Sequence, residues 1–152
     1  MTLTASNQLF DAYFTAREMR GVFCDQGRVQ AMLDFEAALA RAQARVGVIP
    51  ASAVAPIEAA CHAGLYDFQM LGEAIATAGN SAIPLVKALG RQIARSDGEA
   101  ERFVHLGATS QDVMDSGLVL QLRRAMLLLE QDLERLGDIL VAQAQRLSLI
   151  HI

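Results

Sequence analysis

Tryptophan is absent from the 152 residues, and proline, cysteine and aromatic side chains are scarce: three Pro, two Cys, six Phe and two Tyr. So few aromatic positions disfavour a β-sandwich. Cys24 and Cys61 stand without a C-x-x-C spacing, which excludes a disulfide scaffold and a metal knuckle. The longest strictly apolar run is Ala125–Leu129, far short of the roughly 20 residues of a membrane helix. Met1–Asp11 lacks a basic segment followed by an apolar core, so no secretory signal is read there. The formal charge of -4 and pI near 5.3 rule against a basic nucleic-acid-binding module. The chain also has no P-loop, no dinucleotide fingerprint and no H-E-x-x-H zinc motif. These absences leave a soluble, cytoplasmic chain with no metal, no nucleic acid and no membrane partner as the expectation.

What the chain does have is 26 Ala and 20 Leu, strong helix formers that predict an all-α fold. Apolar residues at 53% and charged ones at 20% exclude disorder. A mean hydropathy of +0.27 is high for a small monomer and points to apolar surface meant for a partner.

The pattern predicts a partly irregular arm over 1–24, with a short helix around Thr15–Met19. A strong helix follows from about Gln26 to Val46. Asp25 is its expected N-cap, and Val29, Met32, Leu33, Leu39, Ala42 and Val46 form its apolar stripe. Further helices are expected from Ser52 to near Gly64, from Asp67 to Ala78, and after Asn80-Ser81 to about Ser96. A long helix then starts at Thr109 or Ser110 and runs to about Gln145, roughly 50 Å. Its seam of Leu118, Leu122, Leu129, Leu136 and Leu140 is flanked by Val113, Leu120, Leu127 and Val141. A helix apolar on several sides needs neighbours that the preceding residues cannot all supply.

Leu147–Ile152 breaks the polar rhythm before it. Its six residues can be written CTG TCT CTT ATA CAC ATC, the transposon end of tagmentation sequencing libraries, so 147–152 is read as a non-native tail in which His151 has no function. A natural apolar terminus is the alternative.

The chemically informative stretch is His105-Leu-Gly-Ala-Thr-Ser-Gln-Asp112. It sets Thr109 and Ser110 at the start of the longest helix, where free N–H groups and the helix dipole favour a carboxylate. An ordinary N-cap explains the same residues. His105 can be a hydrogen-bond donor, a proton carrier or a packed loop residue. Asn80-Ser81 forms a second polar pair at a helix start, with capping as its plain explanation. Lys87, Arg91 and Arg95 lie four apart, as in a solvated stripe or an anion or subunit contact; Arg17 and Arg20 are weaker anion candidates. His62 has no partner at metal-ligand spacing and reads as surface, and Cys24 reads as a small packed residue.

Phe103-Val-His-Leu-Gly-Ala-Thr-Ser-Gln-Asp-Val-Met-Asp-Ser116 resembles the first signature region of the fumarase/aspartase superfamily. Arg17–Asp25, Met32–Ala40 and Gly47–Pro50 are similar to the N-terminal helical domain of the same group. Within it the likeness is strongest to the bacterial 3-carboxy-cis,cis-muconate cycloisomerases, notably at Gly79-Asn-Ser-Ala-Ile-Pro-Leu-Val86. Tyr13-Phe14 stands where adenylosuccinate lyases carry an Arg-Tyr phosphate contact, and Asn80 where they carry a histidine, which argues against a nucleotide substrate.

The resemblance implies a cofactor-free reaction on a small polycarboxylate in a homotetramer. The substrate contacts it implies are His105, Thr109, Ser110 and Gln111, with Asn80 and Ser81 nearby. It also implies an N-terminal helical domain over 1–108 and the first long helix of a central bundle over 109–146. The superfamily's second-region histidine and its mobile Ser-Ser-x-Met-Pro-x-Lys loop are not in this chain, so no catalytic residue is assigned and the chain alone is expected to be inactive. The alternatives are another lyase of the superfamily, such as an adenylosuccinate lyase-like enzyme, and a small helical oligomerisation module.

Overall fold

A computed structural model describes residues 13–147; of the expected tail at 147–152 only Leu147 is among them, as the last residue of the long helix, and the rest lies outside the described residues. The fold is all-α, with no strand among the described residues. Among the described residues six α-helices follow one another: α1 (Arg17–Phe23), α2 (Asp25–Arg45), α3 (Val54–Ala60), α4 (Phe68–Ala78), α5 (Ala82–Ala94) and α6 (Ser110–Leu147). Short 3₁₀ turns at Ala51–Ala53, Ala63–Leu65 and Ala100–Phe103 connect them. Within the described residues no helix is long and apolar enough to cross a membrane.

Local chemistry sets most boundaries. The Asp67 carboxylate caps α4 by accepting from the Gln69 and Met70 N–H groups at 2.9 and 3.0 Å. Gly79 ends the helix at φ 64°, a left-handed turn that glycine enters without cost. Cys24, not Asp25, is the N-cap of α2: its sulfur accepts from Gly27 N–H at 3.4 Å, and Asp25 is already helical. The corner between α1 and α2 explains that shift. It is so tight that a Cβ on Gly27 would lie 2.4 Å from the Val22 carbonyl oxygen and 2.5 Å from that of Gly21.

The core joins Met32, Leu33, Ala37 and Ala40 of α2 to Ile57 of α3, Leu71 of α4, Leu85, Leu89 and Ile93 of α5, and Val113 of α6. The stripe expected on α2 is therefore half right. Met32 and Leu33 are buried, but Ala42 and Val46 face solvent and the buried face passes through Glu36, Ala37 and Ala40. The buried line of α6 is Val113, Gly117, Gln121 and Ala125, a four-residue step of modest side chains that lets α6 lie close along α2. Gln121 Nε2 donates to the Val22 carbonyl at 2.7 Å, and Arg124 pairs with Asp34 at 2.8 Å. The leucine seam points elsewhere: Leu118, Leu122, Leu129, Leu136 and Leu140 are all exposed.

Candidate active site

The loop between the last 3₁₀ turn and α6 carries the motif, and α2 holds it at two places. Gln43 Nε2 donates to the Leu106 carbonyl at 2.6 Å, and His105 Nδ1 lies 2.6 Å from Glu36 Oε1. His105 takes a left-handed φ of 56°, which a non-glycine residue rarely adopts. The turn closes when Ala108 N–H donates to the His105 carbonyl at 3.2 Å, with Gly107 at φ 72° between them. Glu36 is 3% exposed. Burial pushes its carboxyl above the ordinary value, and the hydrogen bond and charge of His105 work against that rise.

Thr109 and Asp112 form a reciprocal cap. Asp112 Oδ2 accepts from the Thr109 N–H at 2.7 Å and its hydroxyl at 2.8 Å, and the Asp112 N–H donates to Thr109 Oγ1 at 3.3 Å. These bonds from the Thr109 backbone and then its hydroxyl hold the Asp112 carboxyl below the usual range. Gln111 Nε2 reaches along the helix to Asp115 Oδ1 at 2.6 Å. Among the described residues the Ser110 and Gln111 N–H groups have no acceptor, so the end of α6 keeps two free donors. The cap contributes directly to stability: Thr109→Ala is expected to cost about 1 kcal/mol at neutral pH. Because the Asp112 pKa is lowered on folding, the cap's contribution is present above the unfolded carboxyl pKa. It fades as pH falls through the still lower folded value. Urea melts of the two chains should therefore differ more at neutral pH than in strong acid, where the bond from the Asp112 N–H to Thr109 Oγ1 still remains to be lost; an equal gap at both would refute this.

Asn80 caps α5, its Oδ1 accepting from the Ala82 and Ile83 N–H groups at 2.8 and 3.1 Å. Ser81, the next residue, lines a hollow of about 310 Å³ with Asp25, Arg28, Met32, Phe68 and Leu85. Gly107, Ala108 and Asp112 line another, of about 440 Å³, with Phe35, Leu39, Gln43 and Val48. The two hollows share no lining residue, so within one chain Ser81 and the His105 loop face different spaces. Lys87, Arg91 and Arg95 are exposed, and the two arginines border a third hollow beside Tyr66 and Met70. His62 is exposed. Cys61 is buried, and burial pushes its thiol up to about 12, which leaves it unreactive at neutral pH.

Sequence reasoning missed Glu36 and Gln43. A signal for Glu36 existed: it falls three residues after Leu33 and just before Ala37, on the buried face of α2. Nothing in the pattern marks Gln43, whose partner is a backbone carbonyl 63 residues away.

A family model described as Lyase matches residues 12–150. The chain belongs to this lyase family. Among its relatives is the 3-carboxy-cis,cis-muconate cycloisomerase of Pseudomonas aeruginosa. The two are 73% identical over 146 residues, which make up 96% of this chain and 32% of that enzyme. The crystal structure of 3-carboxy-cis,cis-muconate lactonizing enzyme from Pseudomonas putida is similar with a TM-score of 0.87 and 68% identity, over 92% of this chain and 32% of that one. Adenylosuccinate lyase of Pyrococcus horikoshii is 33% identical over 90% of this chain and 29% of its own length. This member of the lyase family thus spans about a third of the length of the curated relatives it matches.

Proposed function

We propose that the chain is the N-terminal third of a cycloisomerase that closes 3-carboxy-cis,cis-muconate to 4-carboxymuconolactone, a step of the β-ketoadipate route of aromatic degradation. The observation that carries the proposal is the 73% identity to the Pseudomonas aeruginosa enzyme across 96% of the chain. In this reaction a substrate carboxylate oxygen bonds to a carbon of the activated double bond. The carbon alpha to another carboxylate then takes a proton. The charge that develops is enolate-like and needs hydrogen-bond donors.

His105, Thr109, Ser110 and Gln111 are the proposed substrate contacts, and the free Ser110 and Gln111 N–H groups suit a carboxylate at the start of α6. Thr109 spends its hydroxyl proton on Asp112 and would meet substrate as an acceptor or after exchanging that bond. Asn80 and Ser81 are assigned to the same substrate through the assembled protein, because in one chain the hollow beside them is separate. The assembly is proposed to be a cytoplasmic homotetramer, with 1–108 as its N-terminal domain and 109–146 as the first bundle helix. The chain by itself is proposed to be inactive.

The test is an assay of the full-length gene product with 3-carboxy-cis,cis-muconate and with adenylosuccinate. Lactone formation from the first and no cleavage of the second are expected. Turnover of adenylosuccinate alone would overturn the substrate assignment.

A further inference from the structure

The substrate contacts proposed above leave out the group that grips His105. Glu36 lies on a face of α2 that is otherwise apolar, between Leu33 and Ala37, and its side chain is 2% exposed. A buried carboxylate carries a desolvation cost that a hydrophobic residue in the same slot would avoid. Its one side-chain hydrogen bond among the described residues is to His105 Nδ1, at 2.6 Å. That histidine also sits in a left-handed turn whose next carbonyl is tied to Gln43, so backbone and ring are both anchored to α2.

We propose that Glu36 is a positioning residue that holds the His105 ring by Nδ1 and so presents Nε2 to the substrate. An imidazole has two chemically distinct nitrogens, and the bond made by one decides what the other offers. As a carboxylate Glu36 can only accept, so the proton is kept on Nδ1 and is directed at Oε1. Nε2 is then the nitrogen left for other contacts, and the His105 side chain keeps 17% exposure through which to make them. Replacing Glu36 by glutamine keeps the size of the side chain but not this instruction. An amide can accept from Nδ1–H or donate to a bare Nδ1, so both ring tautomers become accessible.

The inference rests on His105 contacting substrate, and the experiment separates the two. In the full-length lyase acting on 3-carboxy-cis,cis-muconate, Glu36→Gln is expected to lower kcat about a hundredfold, the scale of a misplaced reacting group. KM and the melting temperature should change little. Adding Glu36→Gln to His105→Ala should cost nothing further, because the carboxylate acts through the ring. An unchanged kcat in Glu36→Gln beside a slow His105→Ala would overturn the positioning role and leave the site standing, and additive losses would overturn that role equally. An unchanged kcat in His105→Ala would overturn both. Nitrogen-15 NMR of the imidazole in the unmodified 152-residue chain needs neither variant nor substrate. A protonated Nδ1 is expected for His105, and a bare Nδ1 with protonated Nε2 would overturn the proposal.

Discussion

Gly117→Leu is expected to loosen α6 from α2 and lower the melting temperature by about 10 °C, from a cost of 2–3 kcal/mol typical of overpacking. Gly117 lies at the centre of the buried line Val113, Gly117, Gln121 and Ala125. Even a Cβ there would meet Met32 Cγ at 3.0 Å, Met32 N at 3.3 Å and Met32 Cα at 3.5 Å. The sulfur arm of Met32 can turn aside, but its backbone cannot, so a leucine has to push the helices apart. The bonds that depend on their approach, Gln121 to Val22 and Arg124 to Asp34, would be stretched with them. Gly117→Ala is the control. There a helix-propensity gain of about 1 kcal/mol offsets the crowding, and the net change should be small. Thermal melts followed by circular dichroism measure both, and a Gly117→Leu chain as stable as the parent would refute this account of the contact.

The second large effect concerns association. Beyond Ala125 none of the described residues of α6 is buried, and from Met126 to Leu147 the helix extends for about 33 Å. Met126, Leu129, Leu133, Leu136, Ile139, Leu140 and Val141 are exposed along it. Soluble monomers rarely leave an apolar surface of that extent in water, and burial of one such side chain is worth about 1.5–3 kcal/mol. The chain is therefore expected to sediment as a multiple of its 16.4 kDa mass. Replacing Leu122, Leu129 and Leu136 by glutamate should return it to the mass of one chain without loss of the core around Leu89 and Ile93. A wild-type chain that sediments as a monomer at high concentration would contradict the expectation, and so would a triple variant that remains associated.

Sequence reasoning reached different depths at different places. The limits of α4, from Asp67 to Ala78, were legible because the Asp67 cap and the Gly79 turn that set them each act within a few residues of their own position, where local chemistry alone decides. The start of α6 was legible for the same reason, since Thr109 and Asp112 are three apart and need no other element. The cap of α2 was misread by one residue. Asp25 is the better capping residue by type, but the crowded corner at Gly27 leaves that role to the Cys24 sulfur. The α2 stripe was misread at its C-terminal end because an acid, Glu36, occupies a core position where an apolar residue is the ordinary choice. Its justification is a histidine 69 residues later.

By itself the sequence determined the helical class, the approximate helix limits, the motif from His105 to Asp112 and the excess of apolar surface, since each depends on composition or on neighbours within a turn or two. Tertiary structure alone decided which surface of α6 meets this chain. The leucines look like the natural seam, yet close approach to α2 requires small side chains, so Gly117 and Ala125 are buried and the leucines are left outward. It also decided that Glu36 and Gln43 grip the loop of His105, and that Ser81 borders a different hollow. Both outcomes depend on distances between residues far apart in the chain, which no local spacing encodes.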